Sequence, residues 1–393
     1  MRLSYAWIIL AFLLSACNMS VDTLTPAPEQ TVETSEPTPS PYPDTPAPPA
    51  INAESVEEPA LMNIQFLNEL DGWGMTETQV LRTNDGGITW YDVTPGEIEA
   101  ATDTLETFFL DNDHVWLQEP DFNNFPNNGL LYHTADGGLT WTVSSTPFSG
   151  GDLSFIDARN GWMLADLGVG AGSNAVAVFQ TADGGATWTQ TYTNDPNDPN
   201  AGDSLPLGGL KSDLTALDLQ TAWVGGVVYS PGTIYLFRSA NSGQTWAQIN
   251  PGLPEGAENS ELSINEDQMR LFPSGEGFLT VYMAGELPQT AIYTTDNSGN
   301  SWRLTPTLIP DTGEIDFLSG QEAVLYNGEQ FHVTRDGART WVAVTPDIVF
   351  GDSFVTMDFV TPLAGWLISM DDSGNRSLYR THDGGATWLP VVP

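Results

Sequence analysis

Two short stretches concentrate the residue types that do chemistry. EPDFNNFPNNG brings Glu119, Asp121, Phe122 and Phe125 within seven residues, and NDPNDPNAGDS brings Asp195, Asp198 and Asp203 within nine. Paired carboxyls can hydrolyse a glycoside, one protonating the leaving oxygen while the other activates water or attacks the sugar. Clustered oxygens could instead hold Ca²⁺, which takes six to eight of them. Neither stretch has EF-hand spacing, so solvated acidic loops are the expected reading, and no metal or cofactor is assigned. The four histidines, His114, His133, His332 and His382, show no metal-ligand spacing. Carboxylates are too plentiful for spacing alone to single out a catalytic pair, so no catalytic residue is assigned.

The chain divides by composition. Residues 1–17 begin with Arg2, continue through the apolar run Leu3–Leu14 and end LSAC, at the only cysteine, Cys17. The run is too short to span a bilayer and suits a secretory leader. Its end resembles the bacterial lipobox, which implies that Cys17 is lipidated and holds the protein to a membrane outside the cytoplasm, in the cell envelope. Residues 18–60, with PTPSPYPDTPAPP, favour polyproline II and form a tether. The rest, 61–393, is rich in Gly, Trp and Phe without a long helical pattern. A formal charge of −40 repels nucleic acid and anionic headgroups, leaving the lipid as the only expected membrane contact.

What positions the acidic loops is a repeat. TNDGGITW (83–90), TADGGLTW (134–141), TADGGATW (181–188), SANSGQTW (239–246), TDNSGNSW (295–302), TRDGARTW (334–341) and THDGGATW (381–388) recur with Trp-to-Trp separations of 51, 47, 58, 56, 39 and 47. Each is preceded by two markers. The first is Phe66, Phe109, Phe155, Leu217, Phe272, Phe317 or Phe359, and the second is Trp73, Trp116, Trp162, Trp223, Phe278, Val324 or Trp366. Four short strands per unit, at a period near fifty, predict a seven-bladed β-propeller of four-stranded antiparallel blades spanning 61–393. In each box Gly supplies the positive φ of a tight turn and Asp85, Asp136, Asp183, Asp336 or Asp383 accepts backbone N–H groups across it. Asn241 and Asn297 replace Asp in two boxes. Trp90, Trp141, Trp188, Trp246, Trp302, Trp341 and Trp388 are expected to be buried between blades.

These strings resemble the Asp-box, or BNR (sialidase-type) repeat. The GW marker joined to T-x-DGG-x-TW in a seven-fold array is most similar to the photosystem II assembly/stability factor family. That resemblance implies a structural box and a head that binds a protein. A sialidase likeness would imply an arginine triad for a substrate carboxylate, but only Lys211, Arg270 and Arg376 fall near the face opposite the boxes. The long segments 118–129 and 190–213 lie on that face, making Glu119, Asp121, Phe122, Phe125, Asp195, Asp198 and Asp203 the candidate binding surface. The expectation is a monomeric, lipid-anchored head that binds a protein or envelope partner and turns over no substrate. The alternative is a glycoside hydrolase using carboxylates of the same face.

Overall fold

The computed structural model describes residues 51–96, 98, 102–265, 267–310 and 313–392. Cys17, the leader and residues 18–50 of the tether lie outside them.

The described chain is an all-β propeller of antiparallel sheets. The first blade has the strands Asn63–Phe66, Gly72–Met75, Val80–Thr83 and Trp90–Asp92, in that order across the sheet. Glu54–Val56 adds a fifth strand against Trp90–Asp92, ahead of the expected start at residue 61. Ala53 and Val56 pack there against the blade cores, which explains why so short a segment is held. The second blade runs Glu106–Phe109, His114–Pro120, Gly129–Ala135 and Thr142–Thr146. The third runs Gly151–Phe155, Gly161–Gly170, Ser173–Thr181 and Thr189–Thr193. Two further separate blades start at Glu314–Phe317 and Phe354–Phe359.

Between the third blade and these two stands one nine-stranded sheet. The expected seven separate blades are therefore not what the hydrogen bonding makes: five blades stand alone and the sixth sheet is continuous. Its cause is local. Leu262–Ser263 pairs with Val227 on one side and with Tyr282 and Met283 on the other, joining the run that begins at Leu210–Ala216 to the run that begins at Met269–Leu271. The last strand, Leu389–Pro390, pairs within its own blade, so no strand is exchanged at the seam.

The repeated strings form a common turn. In the first, Thr83 Oγ1 donates to Asp85 Oδ1 (2.9 Å) and accepts from Gly87 N (3.0 Å), and Asp85 Oδ1 accepts from Thr89 N (2.8 Å). Gly86 and Gly87 have φ of 78° and 88°, conformations that L side chains rarely adopt. Asn241 and Asn297 accept the same backbone bonds, from Thr245 N and Ser301 N, each at 3.0 Å.

The two markers meet across blade interfaces. Phe155 stacks on Trp116 of the preceding blade, and Phe66 stacks on Trp366 across the seam, each with ring centroids 3.7 Å apart. The indole N–H groups reach the next repeat: Trp116 Nε1 donates to Gly184 O (2.9 Å) and Trp366 Nε1 to Gly86 O (3.0 Å). The glycine of the GW pair is required by this packing, since a Cβ on Gly161 would stand 2.6 Å from the Phe155 ring. Among the closing tryptophans, Trp90, Trp246, Trp302 and Trp388 are buried, whereas Trp141, Trp188 and Trp341 are only partly so.

Candidate functional site

The first strands of successive sheets lie against one another, and Phe354–Phe359 meets Asn63–Phe66 to close the ring. They surround a cavity of about 890 Å³ whose polar lining includes Gln65, Arg270, Glu314, Asp316, Thr356 and Asp358. Burial raises the carboxyls of Glu314 and Asp316, with Asp358 and Glu314 repelling Asp316 further. Burial also pushes Asp358 up to about 7.

A second hollow, a groove of about 420 Å³, opens at the ends of the strands opposite the boxes. The second blade contributes Pro120, Phe122 and Phe125, and the third contributes Asp152, Leu164, Asp166 and Val169. Residues 210–212 close it. Phe122 is 70% exposed, Phe125 46% and Val169 65%, an apolar wall with nothing over it among the described residues.

The floor is a β-hairpin with two acids on one face. Asp152 lies opposite Leu164 in the antiparallel register, and Asp166 is two residues further along the same strand. Side chains two apart share a face, so Asp152 and Asp166 are diagonal neighbours, on the order of 7 Å apart. Their environments differ. Burial, then the carboxylates of Glu106, Asp213 and Asp267, push Asp152 well above the ordinary carboxylate range, against one opposing hydrogen bond from Leu214 N. Asp166 is half-buried and accepts from Gly168 N (2.9 Å).

Lys211, the only lysine of the chain, builds the groove's end. It is 7% exposed, and its Nζ donates to Asn174 O (3.0 Å), Leu207 O (2.8 Å) and Gly209 O (3.0 Å). All three ammonium donors are used. Burial pulls the group down to about 8.

Of the residues singled out from sequence, Phe122 and Phe125 line this groove; the acids expected beside them do not. Glu119 is buried and accepts from Tyr132 OH (2.8 Å). Asp121 accepts from Asn124 Nδ2 (2.6 Å), Asp195 from Asn197 N (2.9 Å) and Asp198 from Asn200 N (2.7 Å), each closing its own loop. Asp203 is exposed in the same loop as Asp195. Among the described residues no group of three or more His, Cys, Asp or Glu is placed to hold a metal. Asp152 and Asp166 escaped sequence reading because each sits inside a strand. Their signal is an acid in an otherwise apolar alternating run, as in GDLSF and GWMLAD.

No family model matches the chain. It is 23% identical over 358 residues to a xyloglucanase of Hypocrea jecorina (strain QM6a), covering 79% of this chain and 36% of that protein. It is 29% identical over 322 residues to a xyloglucanase of a Paenibacillus species, covering 74% of this chain and 26% of that one. The chain thus spans about a third or less of the length of these curated relatives. Among solved structures, the GH74 xyloglucanase from Xanthomonas campestris superposes with a TM-score of 0.58 at 14% identity, over 86% of this chain and 56% of that one. YCF48 bound to D1 peptide superposes with a TM-score of 0.51 at 18% identity, over 84% and 96%. The likeness to YCF48 is one of fold. The expectation of a head that turns over no substrate does not stand, because both curated relatives are enzymes acting on a polysaccharide.

Proposed function

We propose that this protein is a glycosidase-type hydrolase that binds a neutral polysaccharide, of which xyloglucan is the first to test, along the groove walled by Phe122, Phe125 and Val169. The observation that carries the reading is the carboxyl pair Asp152 and Asp166, diagonally placed on one hairpin face at the groove floor. Backbone positions on the order of 7 Å apart on one face allow two carboxyls to reach the separations used for glycoside hydrolysis. Asp152, whose burial favours the protonated form, gives its proton to the glycosidic oxygen as the C1–O bond breaks. Asp166, the more open of the two, assists attack at C1 and takes the proton that water releases. The aromatic wall offers apolar faces to sugar rings, and the net charge of −40 disfavours a polyanionic chain.

Release of reducing ends from xyloglucan by the full chain is the expected result. Asp152→Asn and Asp166→Asn should each lower it by about 10²–10⁴-fold, the usual weight of a positioned acid or base. Turnover untouched by both substitutions would refute the assignment of the pair. A polypeptide segment is the second reading for the same groove, favoured by the exposure of Phe122. It would be supported by peptide capture that Phe122→Ser abolishes, in a protein that degrades no glycan.

The rest of the architecture follows the same reading. We take the nine-stranded sheet as two blades zipped together by Leu262–Ser263, which makes the ring seven-fold as the seven boxes imply. Lipidation at Cys17 and an extracytoplasmic, membrane-tethered head belong to the proposal, and Cys17→Ser should release the protein from membranes.

A further inference from the structure

The acids around the central cavity occupy repeating positions. In three of the repeats the residue just before the first marker accepts a backbone N–H from the first strand of the next sheet. Asp358 accepts from Phe66 N, Asp316 Oδ2 from Phe359 N (2.9 Å), and Ser154 Oγ from Ala216 N (3.0 Å). The residue three before the marker does the same: Asp152 accepts from Leu214 N, and Glu314 Oε1 from Met357 N (2.9 Å) and Thr356 Oγ1 (2.6 Å). Period-two alternation puts both positions on one face of the strand, toward the first strand of the next sheet. The ring is therefore clasped from inside, strand to strand, and the clasp across the seam is Asp358 on Phe66.

Ser154 makes the same bond without a charge, so the clasp needs only an acceptor. At the seam three carboxyls do the work within one wall of one cavity. Asp358 is faced by Glu314 and Asp316 from Glu314–Phe317 and by the uncharged Gln65 from Asn63–Phe66, whose Nε2 lies 3.5 Å from Asp358 Oδ1. The other charged residues lining the cavity are Asp267 and Arg270, a single cation against four acids. Burying like charges together is unfavourable unless protons remain bound.

We infer that Glu314, Asp316 and Asp358 form a pH-dependent latch at the propeller seam, closed when they retain protons and loosened when they ionise together. The sign follows from linkage. All three groups are raised in the folded protein, Asp358 to about 7 from an ordinary carboxylate value near 4. The folded state binds protons that the unfolded chain has released, so their stabilisation is full below about pH 4. It is lost as pH rises through the raised values, which for Asp358 is about 7.

Melting temperature should rise by several degrees when the full chain is taken from about pH 8 to about pH 5.5. Asp316→Asn with Asp358→Asn keeps the acceptor oxygens and removes the shared protons, so at least half of that rise should disappear. Asp195→Asn, in a loop remote from the cavity lining, controls for general charge and should keep the wild-type rise. Hydrogen exchange of the wild-type protein supplies a readout that needs no variant. Peptides covering 63–66 and 354–359 should lose protection with rising pH, after correction for chemical exchange, ahead of peptides covering 131–135. A doubly substituted protein with the wild-type pH dependence would overturn the latch, as would seam peptides whose protection is independent of pH.

Discussion

Asp183→Ala and Asp183→Asn together test whether the repeated turn is held by acceptor geometry or by charge. Asp183 Oδ1 accepts from Thr187 N (2.9 Å) and Thr181 Oγ1 (2.9 Å), and Oδ2 accepts from Thr187 Oγ1 (2.6 Å). The Thr187 hydroxyl bond, with the others, holds the carboxyl below its ordinary value. Alanine removes both acceptor oxygens and with them all three bonds. Each bond is worth about 0.5–1.5 kcal/mol net, and the turn is exposed enough for water to replace part of them, so the loss should be about 1–2 kcal/mol. Asparagine should behave differently, because the molecule already contains the experiment. Asn241 accepts from Thr245 N (3.0 Å) through Oδ1 and donates Nδ2 to Thr245 Oγ1 (2.9 Å), reversing one bond while keeping the ring of contacts. Asp183→Asn should therefore cost under about 0.5 kcal/mol, the scale of a surface change. Unfolding roughly 335 described residues carries an entropy of about 0.7 kcal/mol per kelvin. Calorimetry should then show a fall of about 1–3 °C for alanine and under about 1 °C for asparagine. Equal losses in the two variants would refute the geometric account. No loss in either would show that the turn closes without its acid.

Two other perturbations probe the seam and the groove. Trp366→Phe keeps a ring against Phe66 but strands Gly86 O, and should cost about 1–3 kcal/mol in denaturant unfolding, mostly as faster unfolding if the seam opens first. Lys211→Met keeps the buried stem but takes the ammonium donor from the carbonyls of Asn174, Leu207 and Gly209, of which Gly209 O keeps Asn174 N. It should destabilise by a few kcal/mol and weaken polysaccharide retention in affinity electrophoresis more than Lys211→Arg does.

How far the molecule could be read from its sequence depends on the length scale of the interaction that shapes each part. The boxes are local: Thr83, Asp85, Gly87 and Thr89 satisfy one another within seven residues, so their spacing is visible in the string itself. The strands flanking them follow, because the alternation and the turns that bound them are equally local. Blade interfaces were half legible. The markers Phe66 and Trp366 were visible as a repeat, but that they stack on each other across 300 residues is a property of closure. The fusion of two units by Leu262–Ser263 carries no local signal, since two residues suffice to bridge two sheets.

The groove shows the same division. Phe122 and Phe125 stood out because large apolar residues in an Asn- and Pro-rich loop have no local partner to bury them. The acids beside them in sequence misled, since short loops rich in Asp and Asn satisfy themselves: Asp121 with Asn124, Asp195 with Asn197, Asp198 with Asn200. Asp152 differs from them, because its own segment does not satisfy it. Asp152 takes its hydrogen bond from Leu214 N in the neighbouring sheet and its repulsion from Glu106 and Asp213 on other strands and from Asp267 in a turn. An acid inside an apolar strand must find its compensation at a distance or keep its proton, and either outcome sets it apart chemically. In a propeller, where first strands crowd one cavity, both outcomes occur in the same residues. Thus Asp152, Glu314, Asp316 and Asp358, the acids that burial raises most plainly, stand on first strands and not on the long polar loops.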